Sequence, residues 1–133
     1  MNAADLIRAY YDAFNRHDYP ALLALLAEDV AHDVNQGGRE IGRDRFAAFL
    51  ERMDRCYRER VRDLVVMTSQ DGRHAAAEFT VDGAYLTTDP GLPEAQGQAY
   101  SLPVGAFFEV ADGRIARVTN YYNLKDWVAQ VGS

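Results

Sequence analysis

Residues 100–122 read YSLPVGAFFEVADGRIARVTNYY, and this stretch decides the fold. Two runs rich in aromatic and β-branched residues, Tyr100 to Val110 and Arg114 to Tyr122, flank Asp112-Gly113. Asp-Gly between such runs signals a two-residue hairpin, because the favoured turn needs positive φ at both central residues. Upstream, Asp71-Gly72 repeats the signal between Val61–Ser69 and Ala75–Tyr85. A loop from Thr87 to Gly97, marked by Asp89-Pro90-Gly91 and Pro93, joins the two hairpins. Downstream, Asn123 caps a short helix with Leu124, Trp127, Val128 and Val131 on one face.

The first half of the chain reads mostly as helix. Asn2 caps a helix whose apolar stripe is Leu6, Tyr10 and Phe14, widened by Ile7 and Ala13. His17-Asp18 breaks it, and Pro20 opens a second helix that the pattern carries to Ala27. Val30 to Gln36 reads as a short strand ended by Gly37-Gly38. A third helix runs from Arg43 to Tyr57 with Phe46, Phe49, Leu50, Met53 and Tyr57 on its apolar face. Three helices with one strand among them, then a meander of four long strands, predict an α+β fold. A curved antiparallel sheet wraps the three helices, and a short helix ends the chain.

Length and charge narrow the function. The 133 residues make one domain spanning 1–133, and 48% apolar with 26% charged residues is an ordinary globular composition. Fourteen basic against twenty acidic residues give a net charge of −6, which disfavours nucleic acid as a partner. No apolar run approaches the roughly 20 residues that span a bilayer, so no membrane partner is expected. The N-terminus lacks a basic start followed by an apolar core, and Cys56 is alone, so the expected location is a reducing cytoplasm.

Several segments resemble the ketosteroid isomerase-related, SnoaL-like branch of the nuclear transport factor two-like superfamily. They are Tyr10-Tyr11-Asp12-Ala13-Phe14-Asn15-Arg16-His17-Asp18, Leu26-Ala27-Glu28-Asp29-Val30, Gly42, Phe107-Phe108-Glu109 and Asp112-Gly113-Arg114-Ile115. The resemblance covers essentially the whole chain. It implies a cone-shaped, cystatin-like α+β fold. Members include isomerases, polyketide cyclases, dehydratases, epoxide hydrolases and non-catalytic binding domains, commonly as homodimers.

In the isomerase chemistry a carboxylate base moves a proton at carbon next to a carbonyl. A tyrosine and a protonated carboxylic acid stabilise the oxyanion. By the resemblance the tyrosine falls on Tyr10, the base on Val34, one residue from Asp33, and the second oxyanion donor on Gly105. Two of those three positions therefore lack the required group.

Strand alternation offers another base. It turns Val30, His32, Val34 and Gln36 inward, and Asp33 and Asn35 outward. His32, a neutral imidazole near pH 7, suits proton transfer, and Asp33 would need a bulge to turn in. The plainer readings are a packed core tyrosine and a satisfied core histidine.

The same alternation predicts the lining of an apolar pocket. Val34, Ala75, Ala77, Phe79, Gly105, Phe107, Asn120 and Tyr122 come from the strands, and Phe49, Met53 and Tyr57 from the third helix. A packed core made by the helix stripe is the alternative. His17, His32 and His74 show no metal spacing, and Cys56 lacks a histidine partner, so neither metal nor cofactor is expected. The expected ligand is a small hydrophobic, carbonyl-bearing molecule. The expected activity is a cofactor-free isomerisation, cyclisation or dehydration, and the alternative is a non-catalytic binding or dimerisation module. Leu102, Val104, Phe108 and Val110, read as outward-facing, predict a homodimer through the outer face of the sheet.

Overall fold

A computed structural model of the chain describes residues 1–132. Helix α1 (Ala3–Asn15) is capped by the Asn2 side chain, which accepts from the Asp5 amide at 2.8 Å. Helix α2 (Tyr19–Ala24) is capped by Asp18, with Pro20 in its first turn. Then come β1 (Leu26–Asp33), the short β2 (Arg39–Ile41) and α3 (Arg43–Cys56). Four long strands follow: β3 (Tyr57–Thr68), β4 (His74–Tyr85), β5 (Gln98–Ala111) and β6 (Arg114–Tyr122). Asn123 caps α4 (Leu124–Val131). Asp112 and Gly113 take φ values of 53° and 74°, the left-handed pair that the second hairpin turn requires.

The strands form one curved, unclosed sheet in the order β2-β1-β6-β5-β4-β3. The meander is antiparallel, but β1 lies parallel to β6, so the sheet is mixed. The helices pack inside the curve, with α1 on β3 and β4, α3 on β1 and β3, and α4 on β5. This is the expected α+β architecture.

Several boundaries differ from the sequence reading. The second helix stops at Ala24, and Leu26 already pairs with Ile115 of β6. An all-apolar run of that length suits helix and buried strand alike. The first strand ends at Asp33, because residues 34–38 close a turn in which Val34 N–H donates to the Gly38 carbonyl at 3.0 Å. Tyr57 opens β3 instead of closing α3.

Strand β3 carries a bulge between Arg62 and Val65, where Asp63 sits at φ 56°. The extra residue switches its faces: Tyr57, Glu59 and Val61 point inward before it, and Leu64 and Val66 after it.

The core is the concave side. Leu6, Ile7, Tyr10, Tyr11 and Ala13 of α1 meet Ala75, Ala77, Phe79 and Val81 of β4, with Phe108 and Val118 beside them. On β5 the inward set is Tyr100, Leu102, Ala106 and Phe108, with Phe108 fully buried. The expected register of this strand is therefore inverted. Gly105 and Phe107 face the convex side, where Phe107 is 45% exposed. Leu102 and Phe108 are core, and Val104 and Val110 pack partly buried against it, so the residues named for the dimer do not form an exposed outer face.

Candidate functional site

The open end of the cone lies between α3, the C-terminal part of β6 and the β4–β5 loop. His32 reaches its inner wall from β1. Its register opposite Val118 places it on the concave face, and it is only 3% exposed. Its ring packs against Phe46 and Phe49 of α3, with centroids 4.9 and 4.4 Å away. Its Nδ1 has no hydrogen-bond partner, and Glu40 Oε1 stands 3.8 Å off. Burial pushes the imidazole pKa below its usual value, and Glu40 and Asp33 pull only partly back. His32 is therefore a neutral imidazole at pH 7 and can accept a proton.

Asp33 is on the other face. Its carboxylate accepts from Arg39 Nε at 2.6 Å and Nη2 at 3.1 Å, and from the Thr119 hydroxyl at 2.7 Å. The Arg39 and Thr119 bonds hold its pKa down to about 2. A carboxylate so placed is neither inside the cone nor basic at neutral pH. Asp33 is thus removed as a base by the alternation of β1 over Val30–Asp33.

Asp33→Asn should lower stability by about 0.5–1 kcal/mol at pH 7, since the pair is partly exposed. The depressed pKa makes this contribution full above the unfolded value of about 3.9 and lost as pH falls toward 2. Thermal melts at pH 7 and pH 2.5 check this: the gap between parent and variant should close in acid.

The other expected site residues divide. Val34 and Phe49 line a hollow of about 430 Å³ with Glu40, Arg45, Ala48 and Arg52. Met53 is one turn along α3 from Phe49 and only partly buried. Asn120 and Tyr122 project from β6 on the His32 side of the sheet, with Tyr122 still 36% exposed. Ala75, Ala77 and Phe79 do face inward, but α1 covers them: Tyr11 lies 4.8 Å from Phe79, ring to ring. They are packed core and leave no lining. Tyr10 belongs to the same aromatic cluster, 5.6 Å from Phe108, and burial raises its hydroxyl pKa well above the usual value. Gly105 and Phe107, on the convex side, do not line the cone. The inward neighbours of Gly105 are Val104 and Ala106, so no second oxyanion donor stands there in either register.

The structure joins Tyr57, an expected lining residue, to Asp89, and adds the pair Glu59 and Tyr100, which the sequence reading passed over. Tyr57 donates to Asp89 Oδ2 at 2.8 Å, and Asp89, from the β4–β5 loop, is buried 3.7 Å from Arg52. Tyr100 donates to Glu59 Oε2 at 2.5 Å across β4. Glu59, Gly83 and Tyr100 are register partners on β3, β4 and β5. A Cβ on Gly83 would run into the Tyr100 ring and hydroxyl. Gly83→Ala should therefore displace Tyr100 and cost about 1–3 kcal/mol, read by chemical denaturation. Trp127 of α4 closes this end, 4.9 Å from Tyr85 and 6.0 Å from Tyr100. The signal for Glu59 was in the sequence: it alternates with Tyr57 and Val61, an acid on an apolar strand face.

Among the described residues no cluster of three or more His, Cys, Asp or Glu side chains could hold a metal ion. No helix there is long and apolar enough to cross a membrane.

Comparison with known proteins fits this arrangement. A family model described as the SnoaL-like domain matches residues 7–118. A solved structure of a proposed polyketide cyclase from Pseudomonas putida is 64% identical, covers 99% of each chain and superposes with a TM-score of 0.98. One from Xanthomonas campestris, described likewise, is 62% identical, covers 98% of this chain and 96% of its own, and gives 0.94. A third, from a Silicibacter species and also described as a proposed polyketide cyclase, is 52% identical over 99% of this chain and 96% of its own, at 0.97. No curated protein sequence matches the chain significantly. The family match spans most of the chain, and the likeness to these structures runs nearly end to end: the chain belongs to the SnoaL-like domain family.

Proposed function

We propose that the chain binds a small hydrophobic, carbonyl-bearing molecule in the open end of the cone and moves a proton at carbon next to the carbonyl, without a cofactor. The reaction class is cyclisation or isomerisation. One observation carries this reading: His32 is a neutral base on the concave face, walled by Phe46 and Phe49 beside the hollow at Val34 and Arg52. The three relatives described as proposed polyketide cyclases support it, because ring closure of a poly-β-ketone begins with loss of a proton between carbonyls. The resemblance implies Tyr10 as donor to the oxygen on which charge develops, and burial keeps its hydroxyl protonated.

The apolar residues at the second donor position favour the rival reading, a binding module of the same fold. Exchange of the α-protons of 2-tetralone in heavy water, followed by proton NMR, separates the two. Acceleration by the parent that is lost in His32→Ala supports catalysis. Binding without acceleration supports the module. A β,γ-unsaturated steroid ketone should show little or no isomerisation, since loss of one oxyanion donor alone typically costs on the order of 10²–10³ in rate. Fast turnover in an absorbance assay would contradict this.

The chain is proposed to act as a homodimer in a reducing cytoplasm, where the buried thiol of Cys56 stays free. The dimer surface is the convex face, which exposes Val65, Met67, Phe107 and Tyr121, the last two 5.8 Å apart ring to ring. Light scattering should give twice the chain mass, and a monomer at high micromolar concentration would refute it.

A further inference from the structure

We propose that Glu40 is a positioning residue for His32: its carboxylate takes a hydrogen bond from Nδ1–H of the neutral ring and so leaves Nε2 as the atom that meets the substrate carbon. This rests on the proton-transfer reading above and names the side chain that orients its base.

Two neighbouring strands build the pair. Glu40 of β2 is the antiparallel register partner of His32 on β1, so both side chains leave the sheet on one face. Glu40 lines the hollow with Val34, Arg45 and Phe49, and the Phe49 ring also packs on His32. The two carboxylate oxygens are divided. Oε1 faces His32 Nδ1 at 3.8 Å, and Oε2 faces Arg45 Nη1, near the start of α3, at 4.0 Å.

Of the two ring nitrogens, Nδ1 is the one sealed from solvent without a hydrogen-bond partner. A sealed N–H left unpaired is costly, so this atom calls for an acceptor. Phe46 and Phe49 hold the ring, whereas the Glu40 side chain is 39% exposed. Glu40 is therefore the partner free to rotate and close the remaining gap. Catalytic hydrogen bonds tighten in this way as substrate binds. The other charged groups that act on the ring are Asp33, on the opposite face of β1, and Arg52 of α3; Asp33 favours the imidazolium and Arg52 opposes it. On β6 the residue opposite His32 is Val118, which carries no charge. Of the described carboxylates only Glu40 pairs with the ring.

Which nitrogen of an imidazole carries the proton is set by the hydrogen bond that it makes, so a carboxylate at Nδ1 puts the lone pair on Nε2. The Nε2 lone pair takes the proton from the carbon next to the carbonyl. The electron pair of that C–H bond becomes a C=C bond, and the carbonyl π pair moves onto oxygen. The Nδ1 proton stays on the ring, and Glu40 stays ionised beside the imidazolium. Return of the Nε2 proton to carbon, or its exchange with solvent, restores His32.

Nitrogen-15 NMR of the His32 ring tests the assignment in the parent protein: the neutral ring should carry its proton on Nδ1. In Glu40→Ala, which removes the acceptor, the proton should shift to Nε2. Glu40→Gln keeps the shape and removes the charge. With 2-tetralone in heavy water its KM should match the parent's, while exchange slows about 10-fold or more, the low end of what a correct tautomer is worth in a catalytic triad. Exchange rises with pH as His32 loses its proton. Loss of the carboxylate disfavours the imidazolium, so this rise should move about half a pH unit or more lower in Glu40→Gln. A parent ring with its proton on Nε2, or a Glu40→Gln variant with the parent's rate and pH profile, overturns the proposal while leaving His32 as the base. A parent that does not exchange at all overturns the underlying reading, and this one with it.

Discussion

Alanine at position 32 should slow α-proton exchange of 2-tetralone by a factor on the order of 10²–10⁴, the usual contribution of a positioned general base. The fall should appear in kcat more than in KM, because the base acts on the proton in flight and adds little to binding an apolar ligand. The imidazole also fills the space between Phe46 and Phe49, so the alanine variant will lose some stability. His32→Gln keeps most of that volume and should be equally inactive, which separates chemistry from folding. Asp33→Asn should exchange at the parent rate. The reverse pattern would return the base to Asp33 and require β1 to be turned over in solution.

The second large effect concerns stability. Phe108 is fully buried at the centre of the concave face, touching the rings of Tyr10 and Tyr11 with centroids 5.6 and 6.1 Å away. Phe108→Ala should cost about 3–5 kcal/mol, through lost transfer energy and the cavity left behind. For a domain of this size that lowers Tm by roughly 10–20 °C. Phe107→Ala, one residue away on the exposed face, should change monomer stability by less than about 0.5 kcal/mol. Equal losses from the two variants would contradict the register of β5.

That register shows where the sequence stops being legible. Helices α1 and α3 and both hairpins were readable, because caps, stripes at spacings of three and four, and Asp-Gly turns are local signals. On β5 both faces are apolar: Leu102, Ala106 and Phe108 on one, Pro103, Gly105 and Phe107 on the other. Alternation cannot choose between two apolar faces, and Gly105, the donor position that the resemblance implies, lies on the convex one. The parallel pairing of β1 with β6 joins residues about ninety apart, a choice no local pattern records.

The site follows the same division. His32 inward and Asp33 outward were readable, because His32 alternates with Val30 and Val34 in the sequence. The Glu59–Tyr100 bond was not, because it needs three strands in register with a glycine in the middle one. Asp89 was legible as a turn residue in a loop. Its contacts with Tyr57 and Arg52 depend on how that loop folds back over the open end.

Two of the chain's three methionines report on opposite sides of the sheet: Met53 on α3, one turn from Phe49, and Met67 on the convex side of β3, 49% exposed. Methyl NMR of methionine-labelled protein titrated with 2-tetralone tests directly where the ligand sits. A saturable shift of the Met53 methyl with Met67 unmoved is the predicted result. A shift of Met67 with Met53 unmoved would place the ligand on the convex face and contradict a catalytic cleft inside the cone.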